Sequence, residues 1–249
     1  MKSLPPSVAR RIRFRPELFV PLVAGRNRIG WLRPELAARL GAWPKVFKAT
    51  PEQVKLIDAQ ALAPVVERLA EEGFIPGWRH ERYRIADLFD IERAAARPFG
   101  FATQAVHVNG LVGGESMWLA RRSQSKPTDP GMLDNLVGGG LTSGLSIEEV
   151  LVKEAWEEAG IGAELARTAT RGGTLQLLRE VPEGVQCEVI HVYDLGLPRD
   201  FTPRNQDGEV AEVRLATLAE ARQLAAETEE MTVDAALVAL DYFNRATVP

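Results

Sequence analysis

The 249-residue sequence predicts an α+β fold, an α/β/α sandwich in which helices cover a mixed sheet, preceded by a small α/β domain. Three observations predict it. Strand-like and helix-like segments are interleaved without the regular alternation of a doubly wound parallel sheet. The texture changes at Pro98, from short mixed elements to longer alternating runs, which places the domains at residues 1–98 and 99–249. One segment, residues 146–160, carries complete helix start and stop signals.

In order, residues 18–23 form a short apolar strand candidate interrupted by Pro21. Arg33-Pro34-Glu35 puts proline in the first turn of a helix that continues through Leu40. A second helix ends at Gly73 and buries Leu62, Val65, Val66 and Leu69. Asp58 is a candidate cap for it, and Pro64 then requires a kink or a later start. Residues 91–96 read as helical. Beyond Pro98, residues 103–112 and 116–121 read as strands, followed by a polar loop to Pro127. Residues 133–137 lead into a glycine turn, Gly138-Gly139-Gly140. Further strands are expected at 173–179, 186–194 and 209–215. Thr217 then caps an alanine-rich helix, and a last helix covers 233–244.

Composition narrows the function classes. With 45% hydrophobic and 26% charged residues, the chain can bury an ordinary core. A net charge of -4 disfavours broad binding to a nucleic-acid backbone. No stretch reaches the apolar length of a membrane span, and residues 1–15, with Pro5 and Pro6, lack the apolar run of a signal peptide. The single cysteine, Cys187, excludes an internal disulfide, fits a cytoplasmic location and reads as a small buried apolar residue. His80, His107 and His191 make no zinc spacing.

The helix at 146–160 carries the chemistry. Ser146 is an N-cap with Glu149 at the capping-box position. At about 100° per residue, Ile147, Val150 and Leu151 share one side with Glu154, Glu157 and Glu158, and Trp156 lies opposite. The three carboxylates follow the i, i+3, i+4 spacing of helix neighbours. Like charges repel at that spacing, acids oppose the dipole near a helix C-terminus, and a core-facing stripe draws them out of water. A magnesium ion, which takes carboxylates, retained waters and phosphate oxygens, relieves all three costs. Taken alone, an acid run at a helix end reads more readily as solvated surface than as a metal site. The glycines before it, which let backbone approach a ligand, favour the metal site. Gly139, Gly144 and Ser146 also have P-loop spacing, but Leu145 stands where the phosphate-binding lysine belongs.

The stretch from Gly139 through Lys153-Glu154-Ala155-Trp156-Glu157-Glu158-Ala159-Gly160-Ile161 resembles a Nudix box. It departs from the usual box at Lys153, in place of arginine, and at Leu145, in place of the first glutamate. Further residues, among them Gly77-Trp78-Arg79-His80-Glu81, Ile91-Glu92-Arg93, His107-Val108-Asn109-Gly110 and Asp207-Gly208-Glu209-Val210, resemble the thiamine-pyrophosphokinase-related branch of Nudix hydrolases. That branch shares both departures and has an N-terminal accessory domain. The resemblance implies hydrolysis of thiamine diphosphate, or its damaged oxy and oxo analogues, to monophosphates with magnesium or manganese.

On this reading Glu154, Glu157 and Glu158, with the Gly139 carbonyl, hold the metal. Glu154 and Glu157 are catalytic, and Lys153 positions Glu154. Glu209 is a candidate extra carboxylate, since many Nudix enzymes draw one from such a region. Arg122, Arg121 and Lys126 read almost equally as a phosphate clamp or a solvated hairpin tip, with Arg122 the better clamp candidate. Trp78 and Tyr83 could stack on a substrate ring, though core or interface packing is the commoner role for such aromatics. The expected partner is a small-molecule diphosphate, with neither nucleic acid nor membrane, and a homodimer is left open. Two alternatives stand beside this reading: a nucleoside diphosphate derivative as substrate, and a Nudix-fold module that binds without cutting.

Overall fold

The computed structural model describes residues 4–246. Helix α1 (Pro6–Ala9) is followed by strands β1 (Val20–Ala24) and β2 (Asn27–Leu32), helix α2 (Pro34–Leu40), strands β3 (Phe47–Ala49) and β4 (Val54–Leu56), and helix α3 (Leu62–Glu71). Strands β1 to β4 form one sheet in the order β2-β1-β4-β3. Its apolar face and helices α2 and α3 enclose a core that includes Leu22, Leu32, Phe47 and Leu69. Asp58 does not cap α3 directly. It accepts hydrogen bonds from the Gln60 and Ala61 amides just before the helix, so Pro64 falls in the first turn, where its missing N–H costs nothing.

Next comes a hairpin of β5 (Arg82–Ile85) and β6 (Phe89–Glu92), then a single 3-10 turn (Arg93–Ala95) and helix α4 (Ala96–Phe99). The expected helix at 91–96 is thus strand at its first two residues and a 3-10 turn at the next three. Ile91 packs into the first core by pairing with Tyr83, a tertiary contact that overrides the helix preference of the alanines.

The second unit contains β7 (Ala102–Val112), β8 (Ser116–Arg122), β9 (Leu133–Asn135), β10 (Val137–Gly140), α5 (Ile147–Ala159), α6 (Ala163–Ala166), β11 (Thr170–Val181), β12 (Gly184–Leu197), β13 (Val210–Thr217), α7 (Leu218–Glu227) and α8 (Val233–Ala246). Among the described residues its sheet runs β11-β12-β7-β8-β13, with β10 paired to β7 and β9 to β8. β12 and β7 are parallel and the other pairs antiparallel, so the sheet is mixed. Helices α5 and α6 cover one face around Val106, Leu136 and Leu195, while α7 and α8 cover the other around Leu119, Ile190 and Val192. This is the α/β/α sandwich.

Helix α1 packs away from the first sheet. Val8 of α1 packs into the α7–α8 core, Ser7 Oγ donates to the Ala226 carbonyl at 2.5 Å, and Arg11 Nη2 donates to the Met231 carbonyl at 2.7 Å. Residues 6–12 therefore pack with the second core, because Val8 and Ile12 have their apolar partners there. No described helix is long and apolar enough to cross a membrane.

Candidate active site

Helix α5 is fixed at both ends. The Glu149 amide donates to Ser146 Oγ at 3.2 Å, the Ser146 amide donates to Glu149 Oε2 at 2.7 Å, and Gly160 closes the helix in the left-handed conformation. Val150, Leu151, Ala155 and Ala159 bury the stripe against the sheet, and Glu158 continues it at 7% exposure. Trp156, opposite, is 55% exposed. Glu158 Oε2 accepts from the Gly138 amide at 2.8 Å. Burial pushes its carboxyl up to about 8, with the Glu154 and Asp134 carboxylates adding to the effect against the Gly138 amide and the Lys126 cation. Burial also raises Glu154, with Glu157 assisting and Lys153 opposing.

Lys153 Nζ lies 3.0 Å from Glu154 Oε1 and 2.6 Å from Glu157 Oε2. Burial works against its charge, yet the bonds to Glu157 and Glu154 prevail and hold its pKa above the ordinary lysine value.

The glycine run is not a turn. Gly138, Gly139 and Gly140 are strand residues of β10, paired with His107, Val106 and Ala105 of β7. A methyl at Gly139 would strike the Glu154 carboxyl, and one at Gly140 would strike the Tyr83 hydroxyl. Glycine is required here for close approach of side chains to backbone rather than for chain reversal. Behind the strand a buried polar chain begins at His107, whose Nδ1 donates to Asn135 Oδ1 at 2.9 Å. Asn135 Nδ2 donates to Asn109 Oδ1 at 3.2 Å, Asn109 Nδ2 donates to Asp194 Oδ1 at 2.9 Å, and Asp194 pairs with Arg245 at 2.7 Å.

The β5–β6 hairpin reaches this strand from the first domain. Tyr83 bridges to Thr142, the Ser143 amide donates to the Arg82 carbonyl at 2.8 Å, and Thr142 Oγ1 donates to Glu81 Oε1 at 2.6 Å. Arg93 donates to Glu81 Oε2 at 2.7 Å and lies 5.3 Å over the Tyr83 ring. Burial would raise the Glu81 carboxyl, but Arg93 and Thr142 overcome it and hold its pKa below the usual range. Tyr83 is thus an interface aromatic. Neither Glu81 nor Arg93 is marked locally, because Thr142 lies 61 residues from Glu81 and Arg93 lies 12 away, across the β5–β6 hairpin.

A polar cavity of about 130 Å³ lies against the glycine strand, lined also by His107, Arg122, Lys126, Asp134 and Glu209. It shares Tyr83, Arg93, Arg97 and Glu188 with a cleft of about 390 Å³ between the domains, whose walls include Phe101 and Val185. Glu188 is half-buried in this wall. It accepts from Thr103 Oγ1 at 3.2 Å and Gln186 Nε2 at 3.0 Å, and its pKa is raised by burial and by Asp234. Cys187 is only half-buried and lines the same cleft.

The predicted basic and aromatic residues scatter. Arg122 faces the polar cavity, but its fork is engaged by Asp134 at 2.9 Å and by the Thr128 carbonyl at 2.8 and 3.1 Å. Arg121, its neighbour along a strand, points to the other side and bonds Glu212 and the Gly131 carbonyl. Lys126 pairs with Glu209. Trp78 packs on the first core beside His80 and lines neither cavity. Leu145, half-buried, packs on the core under α5.

The donor set of Glu154, Glu157 and Glu158 suits magnesium in kind, being all carboxylate oxygen, with Glu154 and Glu158 withdrawn from water. In the arrangement described, no three acidic, histidine or cysteine side chains among the described residues converge on one point. The Lys153 ammonium already sits between Glu154 and Glu157, as a cation would.

Residues 103–235 match the NUDIX domain family, and residues 7–103 match a domain of unknown function, DUF4743. Nudix hydrolase 20, chloroplastic, of Arabidopsis thaliana is 40% identical, over 91% of this chain and 68% of its own length. Nudix hydrolase 24, chloroplastic, of the same plant is 41% identical, over 75% of this chain, which spans only 53% of that relative. Among solved structures, a MutT protein from Methanosarcina mazei Go1 aligns with a TM-score of 0.45 at 22% identity, covering 59% of this chain and 96% of its own. With the NUDIX match spanning more than half of its length and a carboxylate-lined helix set against a glycine strand, the chain belongs to the Nudix hydrolase family.

Proposed function

We propose that this Nudix hydrolase converts thiamine diphosphate, or its oxy and oxo analogues, to the monophosphate, using magnesium or manganese. The observation that carries the reading is the pair of adjoining cavities. One is small and polar against the glycine strand, of a size for phosphates. The other is about 390 Å³ and partly apolar between the domains, within the usual size range for a small organic ligand. The half-buried Glu188 carboxylate, with Gln186 and Thr103 beside it, offers the acceptors and donors that an amino-substituted ring edge needs.

Glu154, Glu157 and Glu158, with the Gly139 carbonyl, are the residues to hold the metal, which when bound neutralises the diphosphate and makes a bound water more acidic. Lys153 holds Glu154 Oε1, so Glu154 Oε2 is oriented to accept a proton from the attacking water, and burial has already raised its basicity. Tyr83 and the Arg93–Glu81–Thr142 chain fix the end of the glycine strand and help exclude water from the cleft. Release of phosphate from thiamine diphosphate, its oxo and oxy analogues and several nucleoside diphosphate derivatives, with and without magnesium, tests the reading. The thiamine compounds should give the highest kcat/KM. A nucleoside diphosphate derivative preferred over all of them would overturn the substrate, and no turnover of any diphosphate would leave a binding module.

A further inference from the structure

Three arginines of the first domain line both cavities. Arg79 comes from the loop before β5, Arg93 from the turn after β6, and Arg97 from α4. Arg93 is paired with Glu81, but Arg79 and Arg97 differ electrostatically from the other cations there. Arg122 is paired with Asp134 and Lys126 with Glu209. Neither Arg79 nor Arg97 has a carboxylate within ion-pair distance among the described residues. The only side-chain bond to either is a long one, 3.4 Å, from Arg97 to Thr128 Oγ1. On the facing wall Glu188 accepts from Thr103 and Gln186 and feels the Arg97 cation without forming an ion pair, and Asp234 accepts from Gln186. Burial and the nearby Arg93 cation lower the pKa of Arg79, outweighing the opposing pull of the Glu81 and Glu92 carboxylates.

Convergent guanidinium groups repel, and a fold gains nothing from gathering them unless an anion is to be bound. Each offers a planar fork that matches phosphate oxygens two at a time. We propose that Arg79, Arg93 and Arg97 form a phosphate-binding subsite, built by the first domain, that grips the diphosphate where the polar cavity meets the cleft. This rests on the diphosphate reading above. It moves the clamp from the Nudix domain's own Arg121 and Arg122 to the accessory domain, and so explains chemically why the two are joined.

The test is titration calorimetry of the full chain with inorganic pyrophosphate, free of divalent metal and at low salt. Arg79→Gln and Arg97→Gln should each weaken binding about tenfold, as expected for loss of a charged hydrogen-bonding partner. Arg79→Lys, which keeps the charge but loses the fork, should fall between wild type and Arg79→Gln. Arg121→Gln should bind as wild type does. Unfolding temperatures establish that each variant is folded, and a steep loss of wild-type affinity with salt gives a readout independent of any variant. Wild-type protein that fails to bind pyrophosphate overturns the subsite, as does a folded Arg79→Gln or Arg97→Gln variant that binds within twofold of wild type. If pyrophosphate binding behaves as expected but no organic diphosphate is hydrolysed, the subsite stands and the proposed reaction falls.

Discussion

Gly139→Ala separates the chemistry of this site from its stability. The added methyl would lie 2.7 Å from Glu154 Oε1 and closer still to the carbons behind it, against an ordinary contact of ~3.5–4.0 Å. The carboxyl must retreat by about 1 Å. It is the free end of a flexible side chain, so neither β10 nor α5 has to move. Replacing a strand glycine also removes freedom from the unfolded chain, which offsets part of the strain. The net stability change should stay within about 1 kcal/mol, a shift of roughly 2–4 °C in the unfolding temperature. Misplacing a catalytic group by that distance costs about 100-fold in rate, or about 2.7 kcal/mol of transition-state stabilisation. The assay pairs kcat/KM for phosphate release with thermal unfolding. Gly196→Ala, also on a strand and with nothing within 4 Å of the new methyl, is the control and should change neither. Gly139→Ala with kcat/KM within threefold of wild type would refute the argument that glycine is there to seat Glu154. A loss of more than about 3 kcal/mol of stability would show that the backbone, not the carboxylate, yields.

Glu157→Gln and Glu158→Gln should each remove most turnover while the chain stays folded; unchanged turnover of both at limiting magnesium would dissolve the carboxylate site. The bonds from Thr142 and Arg93 depress the Glu81 pKa in the folded state. Its contribution to stability is therefore full above the ordinary carboxylate range and is lost as pH falls through the lower folded value. The stability difference between wild type and Glu81→Gln should shrink in acid, and denaturant titrations showing a constant difference from pH 7 to pH 3 would contradict this. Asn135→Leu leaves His107 Nδ1 and Asn109 Oδ1 buried without partners. It should cost about 2–4 kcal/mol by denaturant unfolding, and a loss under 1 kcal/mol would mean that water replaces the amide.

What was legible in the sequence was local. Helix α5 announces itself through Ser146, Glu149 and Gly160, and its turn angle places three glutamates beside an apolar stripe, because helical spacing is a property of neighbours along the chain. The glycine run was misread because glycine usually signals a turn, whereas here it answers the size of Glu154 and Tyr83, which arrive from elsewhere. Residues 91 and 92 went to a strand because Tyr83 was available to pair. Arg121 and Arg122 could have been told apart, since adjacent strand residues point to opposite faces, but which face held the cavity was not written locally. Arg79, Arg93 and Arg97 are ordinary surface cations until the fold brings them to one opening.

The placement of α1 bears on how the chain is made. Ser7 and Arg11 meet partners about 220 positions later, at Ala226 and Met231. On a ribosome those partners emerge about 220 residues after Ser7 and Arg11, so this segment waits while the first sheet can already close around Leu22 and Leu32. Contacts of such sequence separation are slow to form. The late docking of Val8 should then be the step that seals the α7–α8 core, whose apolar surface stays open to chaperones or self-association until that docking.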